Sequence, residues 1–237
     1  MDDVLVVVET LEECQERTKQ VLDRMEEEDL HLKLAKCTFN QAEVEYFGLV
    51  VKRGEVHMDP TKLQAVEGWE PPKSVKAVQS FIGFCNFYQK FIPNFSALTW
   101  SLHDLTKKGT VFQWGKEQDD TFIKLKETFL STPVIRMPNM TKPFFVMTNT
   151  SLTATRGVLM QKDSNGDLHP CTYHSATFSL AEQNYNIYNR ELLVVIQALK
   201  EWCHYLMGME HPVTVITDHK NLGYFKQPQN LTCQLLQ

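Results

Sequence analysis

No stretch of this chain constrains its fold more than residues 144–217, where the hydrophobic period switches repeatedly between that of a strand and that of a helix. Phe144 to Thr148, Gly157 to Lys162 and Leu168 to Tyr173 are short runs rich in β-branched and aromatic residues, which predict three strands. Asn165-Gly166 lies between the second and third, a hairpin signal because both residues tolerate a positive φ. Ser179-Leu-Ala-Glu182 spells a capping box and opens a helical stretch to about Leu206. Val213 to Thr217 reads as a fourth strand, after which Asp218 can cap a short helix through Phe225. Three meandering strands, a helix and a further strand predict a mixed α/β (α+β) domain.

The preceding residues have other periods. Val4 to Val8 is a β-branched run that predicts a buried strand, and Thr10 with Glu12 and Glu13 opens a helix to about Asp29. Leu30 to Phe39 and Val44 to Val51 read as strands, and Arg53-Gly54 turns the chain into Val56 to Met58. Asp59-Pro60 starts a helical region that runs to about Leu130, broken at Pro71-Pro72, Pro93 and Gly109. Phe81, Phe84, Phe87, Tyr88, Phe91 and Phe95 form an aromatic series at spacings of three and four. Two readings stand for it: a helix-packing core, or a face that stacks on nucleotides.

With 43% apolar and 22% charged residues, the 237-residue chain has the composition of an ordinary folded interior, and no apolar run approaches a membrane span. The acid-rich start does not read as a signal peptide. The cysteines at 14, 37, 85, 171, 203 and 233 are scattered without a Cys-x-x-Cys pair, which fits a reducing, intracellular setting. The sequons at Asn94, Asn139, Asn149 and Asn230 are then incidental. The net charge of −5 is unevenly spread: residues 1–29 hold 11 acids against 3 bases, residues 31–92 hold 6 against 8, and residues 93–237 hold 12 against 13. Beyond the first helix the chain tolerates a phosphate-backbone partner without carrying a dense basic stripe.

Several motifs occur in a fixed order: Met1-Asp2-Asp3-Val4-Leu5, Leu32-Lys-Leu-Ala-Lys-Cys37-Thr-Phe39, Val44-Glu-Tyr-Phe-Gly48 and Met58-Asp-Pro-Thr-Lys62. Ser80-Phe-Ile-Gly-Phe-Cys-Asn-Phe-Tyr88 with Phe91-Ile92, Phe112-Gln-Trp114, Asn184-Tyr185, Arg190-Glu-Leu-Leu193 and Thr217-Asp-His-Lys-Asn-Leu222 complete the set. Any one of these is weak evidence. Together, along essentially the whole chain, they resemble the reverse transcriptase–RNase H region of gypsy-like LTR retrotransposon polyproteins.

The resemblance implies a partial reverse transcriptase palm at 1–58, a helical thumb and connection at 59–130, and a truncated RNase H-like domain at 131–237. In the family, a Tyr-x-Asp-Asp turn offers carboxylates to Mg²⁺ for nucleotidyl transfer, a job suited to hard oxygen ligands. Asp2 and Asp3 match that pair, and the other polymerase elements would precede residue 1, so an in-frame continuation there would make the chain part of a complete polymerase. The alternative reading is two solvated acids.

The RNase H half implies four acids around two Mg²⁺ (or Mn²⁺) ions, for hydrolysis of the RNA strand of an RNA–DNA hybrid. Glu191 and Asp218 match the second and third acids, while the fourth would fall beyond Gln237. Plainer roles also suit both: a first-turn Glu complementing the helix dipole and an Asp capping a helix. At the first position stands Asn149, an amide that carries no charge and cannot bridge two cations. The following Ala154-Thr-Arg156 replaces two glycines expected by resemblance, with Arg156 adding bulk.

These readings predict a retroelement polymerase–RNase H fragment with an intact scaffold and at most residual catalysis. The alternative is a binding module for template-primer duplex or RNA–DNA hybrid, weak and salt-sensitive, with Lys62, Lys73, Lys76 and Lys90 as its candidate contacts.

Overall fold

The computed structural model describes residues 3–8, 10–131 and 134–217. Its contacts divide the chain into a first unit, Met1–Lys62, and a second, Leu63–Gln237.

In the first unit, α1 (Leu11–Glu27) begins where Thr10 Oγ1 accepts a hydrogen bond from the Glu13 backbone N–H at 3.2 Å. Glu12 and Glu13 lie in the positive first turn and Arg24 in the last, so capping and dipole agree with the chain direction. Yet none of its residues is buried.

The expected strand at Val4 to Val8 does not form: residues 3–8 join no ladder among the described residues, and the Tyr46 hydroxyl donates to the Asp3 carbonyl at 3.2 Å. A β-branched run becomes a strand only when a neighbour takes up its N–H and C=O groups. The strand expected at Leu30 to Phe39 is replaced by irregular chain with one 3-10 turn at Leu34–Lys36. The run from Val44 to Val51 is two strands, β1 (Glu43–Tyr46) and β2 (Leu49–Lys52). Phe47 and Gly48 both take positive φ, 49° and 70°, making a two-residue turn whose twist suits an antiparallel hairpin. Gly54, at φ 73°, then turns the chain into β3 (Glu55–Met58), as the sequence implies.

Helix α2 (Pro60–Glu67) has Pro60 at its first position, and Lys126 Nζ donates to the Glu67 and Trp69 carbonyls at 2.6 and 2.9 Å, satisfying its C-terminal end. In the second unit α3 (Val75–Phe87), capped by Ser74, is followed by α4 (Phe95–Asp104) and α5 (Lys116–Leu130). The aromatic series is this region's core. Phe81, Tyr88, Phe91 and Phe95 are buried, Phe84 is half-buried, and the Phe81 ring packs 4.7 Å from that of Phe122. Phe87 alone of the six is open, at 51% exposure, so the series forms no continuous stacking face.

A short β4 (Ile135–Arg136) leads to the sheet of β5 (Phe144–Thr150), β6 (Ala154–Lys162), β7 (Leu168–Thr177) and β8 (Thr214–Thr217). Its order is β7-β6-β5-β8, with β5, β6 and β7 antiparallel and β8 parallel to β5. The β6–β7 turn falls where Asn165-Gly166 predicts it, as a five-residue loop over 163–167 in which Gly166 takes φ 90° and Asn165 no positive φ. The Asp163 carboxylate accepts from the Asn165 and Asp167 N–H groups at 2.8 and 2.9 Å and meets the His169 ring at 2.9 Å.

The helical stretch after Ser179 is three pieces: α6 (Leu180–Gln183) with its capping box, α7 (Ile187–Glu201) recapped by Asn186, and α8 (Cys203–Leu206). Ala198 and Trp202 pack on Phe144, Val146 and Leu159. The indole leaves no space at Gly157, where an added Cβ would lie 3.0 Å from Trp202 Cη2. On the other face of the sheet, the Ser96 N–H donates to Ser175 Oγ at 2.8 Å, tying the start of α4 to β7.

Candidate functional site

The candidate site is the end of β5. Residues 144, 146, 148 and 150 share one face of the strand and turn toward α7, while 145, 147 and 149 share the other. Burial follows that alternation: Phe144, Val146 and Thr148 are buried, Met147 and Asn149 exposed. The parallel pair Thr148↔Thr217 brings the end of β8 beside the end of β5. Asp218, the next residue, lies outside the described residues.

Glu191, Val194 and Ala198 recur at helical spacing on α7 and are all buried, so the carboxylate sits in the stripe facing the sheet. Glu191 is 4% exposed. The Thr150 hydroxyl donates to its Oε1 at 2.7 Å. Its Oε2, like Thr148 Oγ1, is sealed from solvent without a hydrogen-bond partner among the described residues. A buried carboxylate with one oxygen unsatisfied is expensive, since desolvation of a charge is repaid only by partners. Thr150 is the contact that sequence reading missed. Its one legible signal was its place two residues after Thr148 on the same strand face.

Asn149 is on the opposite face from Thr150. It pairs in register with Arg156, which pairs in turn with Ser175, making a row across three strands. Ala154-Thr-Arg156 opens strand β6 instead of a turn, and neither it nor the connection before it contains a positive φ, so no glycine is needed there. Ser151 closes it, accepting from the Ala154 N–H at 2.9 Å.

The described residues complete no two-metal site by themselves, and Asp218 lies outside them. Among the described residues, the acid and amide donors near the end of β5 are one carboxylate, Glu191, already bonded by a threonine hydroxyl, and one neutral amide, Asn149, on the other strand face. No group of three or more His, Cys, Asp or Glu side chains that could hold a metal ion occurs among the described residues.

Of the polymerase pair, Asp2 lies outside the described residues, while Asp3 is exposed and is held through its backbone carbonyl. Among the lysines, Lys62 belongs to the first unit, and Lys73, Lys76 and Lys90 to the second. Lys62, Lys73 and Lys76 are exposed, and Lys73 lies 3.5 Å from Glu70. Lys90 is half-buried beside the Phe91 ring, and burial pulls its pKa down from the ordinary lysine value. No described helix is long and apolar enough to cross a membrane. Cys85 and Cys171 are buried thiols, the second pushed up to about 12 by burial, and neither is poised for reaction.

Residues 114–215 match the family described as the RNase H-like domain found in reverse transcriptase. The Tf2-3 transposon polyprotein of Schizosaccharomyces pombe is 33% identical over 222 residues, 94% of this chain, and the Tf2-7 polyprotein of the same organism is 32% identical over the same length. The chain spans 17% of the length of these relatives. The fold is also that of a foamy viral protease–reverse transcriptase solved in complex with an RNA/DNA hybrid, with TM-score 0.75 and 20% identity over 97% of this chain and 32% of the other. A second foamy viral structure, of the protease–reverse transcriptase dRH with double-stranded DNA, gives TM-score 0.75 and 20% identity over 94% of this chain and 39% of that one.

Proposed function

From a chain related along almost its whole length to the reverse transcriptase–RNase H region of LTR retrotransposon polyproteins, we propose a scaffold that grips a nucleic-acid duplex without metal-dependent hydrolysis. In this reading residues 1–58 derive from the palm, 59–130 from the thumb and connection, and 131–237 from the RNase H-like domain. The partner is an RNA–DNA hybrid or a template-primer duplex. The observation that carries the proposal is Asn149, a neutral amide where two divalent cations need a bridging carboxylate, on the strand face opposite the one that engages Glu191. Losing even an outer-shell partner of a metal ligand lowers affinity or activity about 10- to 100-fold, and losing a bridging ligand costs more.

Binding rests on exposed Lys62 and Lys76 acting on phosphates, with little base reading. Its affinity falls steeply with salt, because each neutralised phosphate releases counterions. The test is a cleavage and binding assay on a labelled RNA–DNA hybrid with the whole chain. The expected result is salt-sensitive binding with no cleavage in Mg²⁺ or Mn²⁺. Cleavage that disappears in Glu191→Gln overturns the loss of hydrolysis, and absence of binding at low salt overturns the duplex partner.

A further inference from the structure

We propose that Arg156 and Asn149 form a metal-independent binding site for a backbone phosphate of the nucleic acid; this rests on the duplex-binding reading above. The two residues are direct cross-strand partners in β5 and β6. Directly opposed side chains on one face of an antiparallel pair have Cβ atoms about 4.5–5.5 Å apart. On that face Asn149 is exposed, and Met147, the next residue along the same strand face, is 43% exposed, so the row opens to solvent. Ser175, across from Arg156 on the other side, is engaged with Ser96 and fixes β7 behind the arginine.

Arg156 has no ion-pair partner among the described residues, and its Nε is shielded from solvent without an acceptor. A guanidinium does not lose its proton at any working pH, so its charge is permanent. The terminal nitrogens of the guanidinium are not sealed in this way, so it is they that an anion brought from outside can meet. The planar fork of donors matches two oxygens of a phosphate, and the Asn149 amide can add a further N–H from the same face. An aspartate at 149 would pair with Arg156 and cancel it. The asparagine leaves the arginine's charge available, so one substitution both weakens a cation site and frees an anion site. Phosphate that a family member would approach through Mg²⁺ is here met by the guanidinium itself.

The test is a fluorescence-anisotropy titration of the whole chain with a labelled RNA–DNA hybrid, in EDTA and in Mg²⁺, over a salt series. The expected wild-type affinity is the same with and without Mg²⁺. Arg156→Gln weakens it roughly tenfold and lowers the salt slope by about one, as for loss of one phosphate contact. Arg156→Lys recovers the slope but only part of the affinity, since it keeps the charge and loses the fork. Asn149→Asp, close in shape and mild for folding, weakens binding in EDTA by pairing with Arg156. Wild-type affinity in Arg156→Gln, or binding abolished by EDTA, overturns this proposal and leaves duplex binding standing. No hybrid binding by the wild-type chain overturns both.

Discussion

The two ends of the described chain are built from equally strong local signals and reach opposite results. Through residue 48 no described side chain is buried, although α1 has a cap, a charged first turn and apolar residues at helical spacing. In the sheet of the second unit, Phe144, Val146 and Leu159 are at most 1% exposed beneath Ala198 and Trp202. Caps and periodicity decide where a helix starts and which face is apolar. They do not supply the surface that buries that face, and most helical stability comes from that burial. Residues 3–8 show the same for a strand: the right residues, and no ladder.

The largest expected effect breaks this contrast directly. Trp202→Ala removes a buried indole from the sheet–helix core and lowers the unfolding free energy by about 3–5 kcal/mol, whereas Leu22→Ala on exposed α1 changes it by under about 0.5 kcal/mol. Urea denaturation of the two variants measures the difference, and equal losses would mean that α1 is part of the cooperative core. Thr150→Val sharpens the contrast inside the second unit, because it strips the Glu191 carboxylate of its hydrogen bond. The expected loss is about 1–3 kcal/mol, relieved when Glu191 is also changed to Leu, as a double-mutant cycle would report.

The smallest effect concerns the β6–β7 turn. Burial pushes the Asp163 carboxyl up, but the Asp167 N–H, the His169 ring and the Asn165 N–H outweigh it and leave the pKa below the ordinary aspartate value. A group with a depressed pKa contributes stability above its unfolded value and loses it as pH falls through the folded one. The melting temperature of the wild-type chain therefore drops more steeply below about pH 4 than that of Asp163→Asn. Parallel acid profiles would remove the turn from the account.

What the sequence announced correctly was local. The Ser179 capping box, the Asn165-Gly166 turn, Pro60 at a helix start and the four strands β5 to β8 depend on neighbours a few residues away. The turn at Phe47-Gly48 was hidden inside a continuous apolar run, since a phenylalanine at positive φ carries no compositional mark. At the site, Asn149 and Glu191 were legible through motif order. Their placement on opposite sides of β5, and the threonine bonded to the glutamate, follow from how α7 docks on the sheet, which no local pattern encodes.

The parallel pairing of β8 with β5 also sets an order of assembly. The antiparallel meander of β5, β6 and β7 can zip as each strand leaves the ribosome, but β8 enters only after α7 has been made and laid across the sheet. Until then one edge of β5 is unfilled. A growing chain stalled before Thr214 would present that edge to any neighbour able to add a strand, so the stretch of synthesis between α7 and β8 is when this polypeptide is most exposed to mispairing.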